Sequence, residues 1–162
     1  MPPPPCEPEV LRRVTVRLLR DDERDAFDQT LENQRYLASA RIAGQTLRYV
    51  AELDDQWVAL LTFSAASLHL KGREQWLRWT PRQRARRLPF VVNNSRFLVL
   101  PDRQRYPNLA SRVLGLCLRR LNDDWLARWE HPVLVVESFV EDRKSTRLNS
   151  SHIQKSRMPS SA

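Results

Sequence analysis

Residues 90–100 read FVVNNSRFLVL, residues 101–107 read PDRQRYP, and residues 108–121 read NLASRVLGLCLRRL. The first run is apolar and β-branched, which predicts a long strand with both faces largely buried. Two amides, Asn93 and Asn94, interrupt it. Buried amides need hydrogen-bond partners, and a β-bulge that turns a backbone group outward supplies one arrangement; a plain strand break is the other. In the third run Leu109, Val113, Leu116, Cys117 and Leu121 recur at helical spacing, while Arg112, Arg119 and Arg120 lie off that line. Asn108 suits an N-cap, and Asn122-Asp123-Asp124 ends the helix in a short turn that holds Trp125 and Trp129. The run VLVV at 133–136 then predicts a second buried strand. Strand, helix and strand in this order imply a crossover between parallel strands, with a crevice at the carboxyl end of the first. The loop 101–107 lies in that crevice, and the fold class is α/β.

Working outward, 47–53 and 57–63 form two strands separated by Asp54-Asp55-Gln56, a hairpin with a three-residue connection. Residues 14–19 alternate as a first strand does, and 21–33 start acidic, as a helix start prefers, with Phe27 and Leu31 one turn apart. Between hairpin and long strand lies a basic zone: Lys71, Arg73, Arg78, Arg82, Arg84, Arg86 and Arg87, beside Trp76 and Trp79. Thr80, Pro81 and Gln83 predict a capped helix that Pro89 ends. This zone has two readings. One is a solvated helix face with its tryptophans in the core; the other is a patch whose guanidinium groups contact the phosphates of DNA.

The termini differ from the middle. Residues 1–9 (MPPPPCEPE) are Pro-rich and read as a leader that forms no packed element, and 10–142 reads as a single α/β domain. Residues 143–162 are Ser-rich, lack acidic and aromatic residues, and read as a disordered tail. The stretch KSTRLNSSHIQKSRMPSSA resembles translated sequencing-adapter read-through, which implies a non-native end and a domain truncated at its C-terminal side. The tail carries five basic residues of the 27, so that without it 22 basic residues face 19 acidic ones, a net of +3 rather than +8. Most of the bulk charge is therefore no argument for a polyanion partner. The absence of a long apolar run or a signal-peptide pattern argues against a membrane and for the cytoplasm. His69, His131 and His152 lack metal-ligand spacing, so no metal is expected, and Cys117 reads as a small buried hydrophobe.

Two resemblances add expectations. The strand–loop–helix joint resembles the acyltransferase fold of the GNAT superfamily, a mixed sheet with flanking helices. There a loop of the form Gln/Arg-x-x-Gly-x-Gly/Ala binds the pyrophosphate of coenzyme A. Arg105, Tyr106, Pro107, Asn108, Leu109 and Ala110 occupy the corresponding place, with Asn108 where the pattern has Gly. The resemblance implies an acetyl-CoA or acyl-CoA site at Arg105, Asn108, Leu109 and Ala110. Glu137 and Glu141, at the end of the last strand, would then be the groups that deprotonate an amine.

A closer resemblance is to the family of the Druantia anti-phage A protein. It rests on YVAELDDQWVALLTFSAAS, REQWLRWTPRQRARRL, VVNNSRFLVLP, PNLASRVLGLCLRRLNDDW and HPVLVVESFVED, and covers roughly residues 31–142. Relatives of that family also occur fused or adjacent to transposases. This resemblance implies an accessory component of a prokaryotic anti-phage defence system or a mobile element. Its partners would be DNA and other defence or transposase proteins, and the chain would be a fragment; this resemblance by itself supplies no enzymatic activity. The alternative is an acyl-CoA-dependent N-acyltransferase.

Overall fold

The computed structural model describes residues 6–34 and 44–140, with the backbone of residues 152–153 and 156–157. Helix α1 (Glu7–Arg13) leads into strand β1 (Thr15–Leu18) and helix α2 (Arg24–Asn33). Strands β2 (Thr46–Leu53) and β3 (Gln56–Ala65) follow, then two short helices, α3 (Lys71–Leu77) and α4 (Pro81–Arg87). Strand β4 (Val91–Val99), helix α5 (Leu109–Trp129) and strand β5 (Val135–Val140) complete the body. The sheet runs β1-β2-β3-β4-β5, antiparallel except for the parallel β4–β5 pair across the α5 crossover. This is the expected mixed α/β sheet with flanking helices.

Strand alternation sorts the core into two faces. Leu47, Tyr49, Ala51, Leu61, Phe63, Val92 and Val136 pack against α5 and against Val10 of α1. Val50, Leu60 and Leu98 pack against Phe27 and Leu31 of α2 on the other side. On β4 the register steps from Asn94 opposite Phe63 to Arg96 opposite Thr62, so Ser95 is an extra residue. One inserted residue reverses which face each later side chain meets. That is why Phe97 packs in the α5 cluster and Leu98 in the α2 cluster, although Val92 shares the parity of Leu98. The bulge thus falls immediately after the two amides. Asn94 lies on the α5 side and is buried; with its amide nitrogen turned inward it donates to the carbonyls of Thr62 and Arg96.

Four expectations need correction. The β2–β3 connection has two residues, not three: Leu53 pairs with Gln56, and Asp54 and Asp55 both adopt positive φ (51° and 63°). Such a turn matches the twist of its strands, and Asp tolerates the left-handed region. Helix α5 does not stop at 121 but runs 21 residues to Trp129. The polar triplet is used elsewhere: Asn122 Oδ1 accepts from Val133 N–H (2.8 Å), and Asp124 accepts from Tyr49 and Arg120. Glu7, Pro8 and Glu9 belong to α1 rather than to an unpacked leader, because proline fits the first turn of a helix, where its missing N–H has no partner to lose. Finally, the tail read as unstructured contributes β6 (His152–Ile153) and β7 (Ser156–Arg157), both paired antiparallel with β5; its other residues lie outside the described ones.

Candidate nucleic-acid interface

The basic zone forms a two-helix arm. Thr80 and Gln83 make the expected reciprocal cap at the start of α4, Thr80 Oγ1 accepting from Gln83 N–H (3.2 Å) and Gln83 Oε1 from Thr80 N–H (3.0 Å). Arg84 reaches back to Glu74 on α3 (2.6 Å), tying the two helices together. Arg78 ends α3 in the left-handed conformation (φ 49°). Lys71, Arg78, Arg82, Arg86 and Arg87 are exposed, and the Arg87 guanidinium lies 5.7 Å from the ring centre of half-buried Trp79. Trp76 is 62% exposed, against the reading that both tryptophans enter the core.

Arg73 departs from this pattern. It is 2% exposed, and its Nη1 donates to Glu137 Oε1 and Oε2 at 3.0 and 3.2 Å, while Nη2 donates to the carbonyls of Ser67 and Leu68. A guanidinium used in this way is not available to a phosphate, so the expectation of a contact from Arg73 is corrected. Its partner changes too. Val136 belongs to the α5 face, so Glu137, next along the strand, points to the opposite face, where Arg73 meets it. Burial pushes the Glu137 carboxyl up and the neighbouring guanidinium pulls it back. Instead of facing an open cleft as a base, Glu137 is half of a buried ion pair. Its register partner on β4 is Asn93, and among the described residues Asn93 Oδ1 and Arg73 Nε have no hydrogen-bond partner.

The pair sits where the sheet forks. β4 and β5 pair only from Val91 with Val135 to Asn94 with Ser138, and part at the Ser95 bulge. The loop beyond β4 contains a 3-10 turn (Pro101–Arg103), buried Tyr106, and exposed Arg105 stacked 5.0 Å from the Tyr106 ring centre. At the start of α5, Asn108 has φ −98° and its side chain makes no cap. Its N–H donates to Glu7 Oε1 (2.7 Å) and its amide to Glu7 Oε2 (3.2 Å). The helix start that favours an anion therefore already holds the carboxylate of α1. Leu109 is buried in the core, Ala110 half-buried. Glu141 lies outside the described residues.

Sequence reasoning missed a polar cluster behind α5. Tyr49, wholly buried, donates to Asp124 (2.7 Å), which also accepts from Arg120 Nε (2.7 Å); Arg120 donates onward to the Val16 carbonyl (3.1 Å). Burial and the Asp124 carboxylate push the Tyr49 hydroxyl up. Burial likewise raises the Cys117 thiol to about 12, which suits an inert core residue. Tyr49 and Asp124 are 75 residues apart, so only the folded chain reveals the cluster.

Among the described residues no helix is long and apolar enough to cross a membrane. The class is thus a two-faced α/β domain bearing a basic, tryptophan-carrying helical arm at the fork of its sheet. Residues 5–154 match the family described as Druantia protein DruA, and the chain belongs to that family. No curated protein matches it.

Proposed function

We propose that this chain serves anti-phage defence, the role to which its family membership points, by contacting nucleic acid through the α3–α4 arm. The observation that carries the reading is the set of exposed cations on one short arm: Lys71, Arg78, Arg82, Arg86 and Arg87. Guanidinium groups match phosphate geometry and release counterions on binding, so a local cluster suffices even where the net charge is modest. The test is a salt series of DNA binding with the full chain. Affinity is expected to fall steeply as salt rises, and changing Arg82, Arg86 and Arg87 to Ala is expected to flatten that slope by about three. An unchanged slope in the triple variant refutes the assignment, since the basic tail is present in both proteins.

An acyl-CoA-dependent N-acyltransferase is the second reading. The parting of β4 and β5 at the Ser95 bulge, on the side of the loop expected to bind the cofactor, is the observation that favours it. Against it stand the Glu7 carboxylate on Asn108 and the engagement of Glu137 by Arg73. Calorimetry with coenzyme A decides; no heat at millimolar ligand removes it. Association with a transposase, inferred from resemblance, is tested by the genes that flank the full-length gene.

A further inference from the structure

The arm carries an aromatic surface as well as charge. Trp76 is 62% exposed at the end of α3, and Leu68, at the approach to the same helix, is 56% exposed. Two residues beyond Trp76 stands the exposed Arg78, then Trp79 with its stacked Arg87. A duplex hides the faces of its bases, so it offers an exposed indole nothing to stack on. A single strand presents both a charged backbone and unstacked base faces. An exposed indole on the same arm as the exposed Arg78, Arg82 and Arg86 matches that combination, because every base has a face on which an aromatic ring can stack.

Resting on the nucleic-acid reading above, we infer that the arm takes single-stranded nucleic acid, with a base stacked on Trp76 and the neighbouring phosphates held by Arg78, Arg82 and Arg86. The buried Arg73–Glu137 pair anchors the helix that carries Trp76, three residues beyond Arg73.

The experiment is fluorescence anisotropy of end-labelled 15-nucleotide probes with the full chain: a single-stranded DNA, the RNA of the same sequence, and the DNA duplex. One of the single strands is expected to bind at least fivefold tighter than the duplex. Trp76→Ala is expected to weaken that strand roughly tenfold and the duplex less than twofold. Trp76→Phe, which keeps an aromatic face, is expected to stay near the parent; Trp76→Leu, apolar without one, is expected to behave like Trp76→Ala. This pattern separates stacking from a merely structural role. Equal binding of duplex and single strands, or equal affinities for Trp76→Phe and Trp76→Leu, overturns the inference while leaving the arginine reading intact. If no probe binds at low salt, both fall.

Discussion

Helix α5 and the α3–α4 arm join the same sheet by opposite chemistry. Five side chains of α5 are buried, Leu109, Val113, Cys117, Leu121 and Trp125, and each is apolar. The arm buries one, Arg73, and its hold is an ion pair rather than an oily seam. Apolar burial is undirected and accumulates along a long helix, so α5 is held at many points rather than one. A buried charge is all or nothing: paired it is tolerated, and unpaired it is costly. The chain therefore has a robust half and a half fastened at a point, and the second carries the exposed cations.

Truncation of Trp125 to Ala is the largest blow the robust half can receive. With no exposure in the native state, the ring should cost about 3–5 kcal/mol when removed, read as a fall in the urea midpoint of the whole domain. Glu137→Leu should cost roughly 3 kcal/mol by stranding Arg73. Its signature differs, because amide exchange should accelerate over 71–87 more than along α5. Adding Arg73→Met to Glu137→Leu should restore most of the loss. If the double variant is no better than the single one, the point-fastening picture fails.

Acid should act on a third place, the Arg17–Glu23–Glu52 cluster at the β1–β2 edge. Arg17 holds the Glu23 carboxyl down from 4.5 to about 2. Because the folded value is the lower one, this stabilisation is complete above the ordinary carboxylate range and is lost as pH falls from about 4.5 to about 2. At a partly exposed site its size is on the order of 1 kcal/mol, and Arg17→Met should flatten the acid limb of a stability–pH curve. The smallest expected effect is Thr80→Ala. Loss of its reciprocal cap with Gln83 should cost about 0.5–1 kcal/mol, seen as fraying of α4 in amide exchange with the global midpoint unmoved.

What the sequence disclosed follows the range of each interaction. The Thr80–Gln83 cap spans three residues and was legible, as were the hairpin, the long strand and the presence of a bulge beside Asn93-Asn94. The end of α5 was misjudged because Asn122-Asp123-Asp124 is a stop signal only while its side chains lack other partners. Val133, Tyr49 and Arg120 supply those partners in the fold. The basic zone was legible as a zone, but Arg73 could not be told from its neighbours. Its distinguishing partner, Glu137, lies 64 residues away and is brought to it by the β4–β5 register.

The contact between Glu7 and Asn108 spans 101 residues and has a consequence for competition. A carboxylate delivered by its own chain competes intramolecularly, so its hold is independent of how dilute the protein is. Any external anion seeking the start of α5 must first displace that resident carboxylate. The first helix thus makes the joint that looks most ready for a phosphate one of the harder places on this chain for a phosphate to enter.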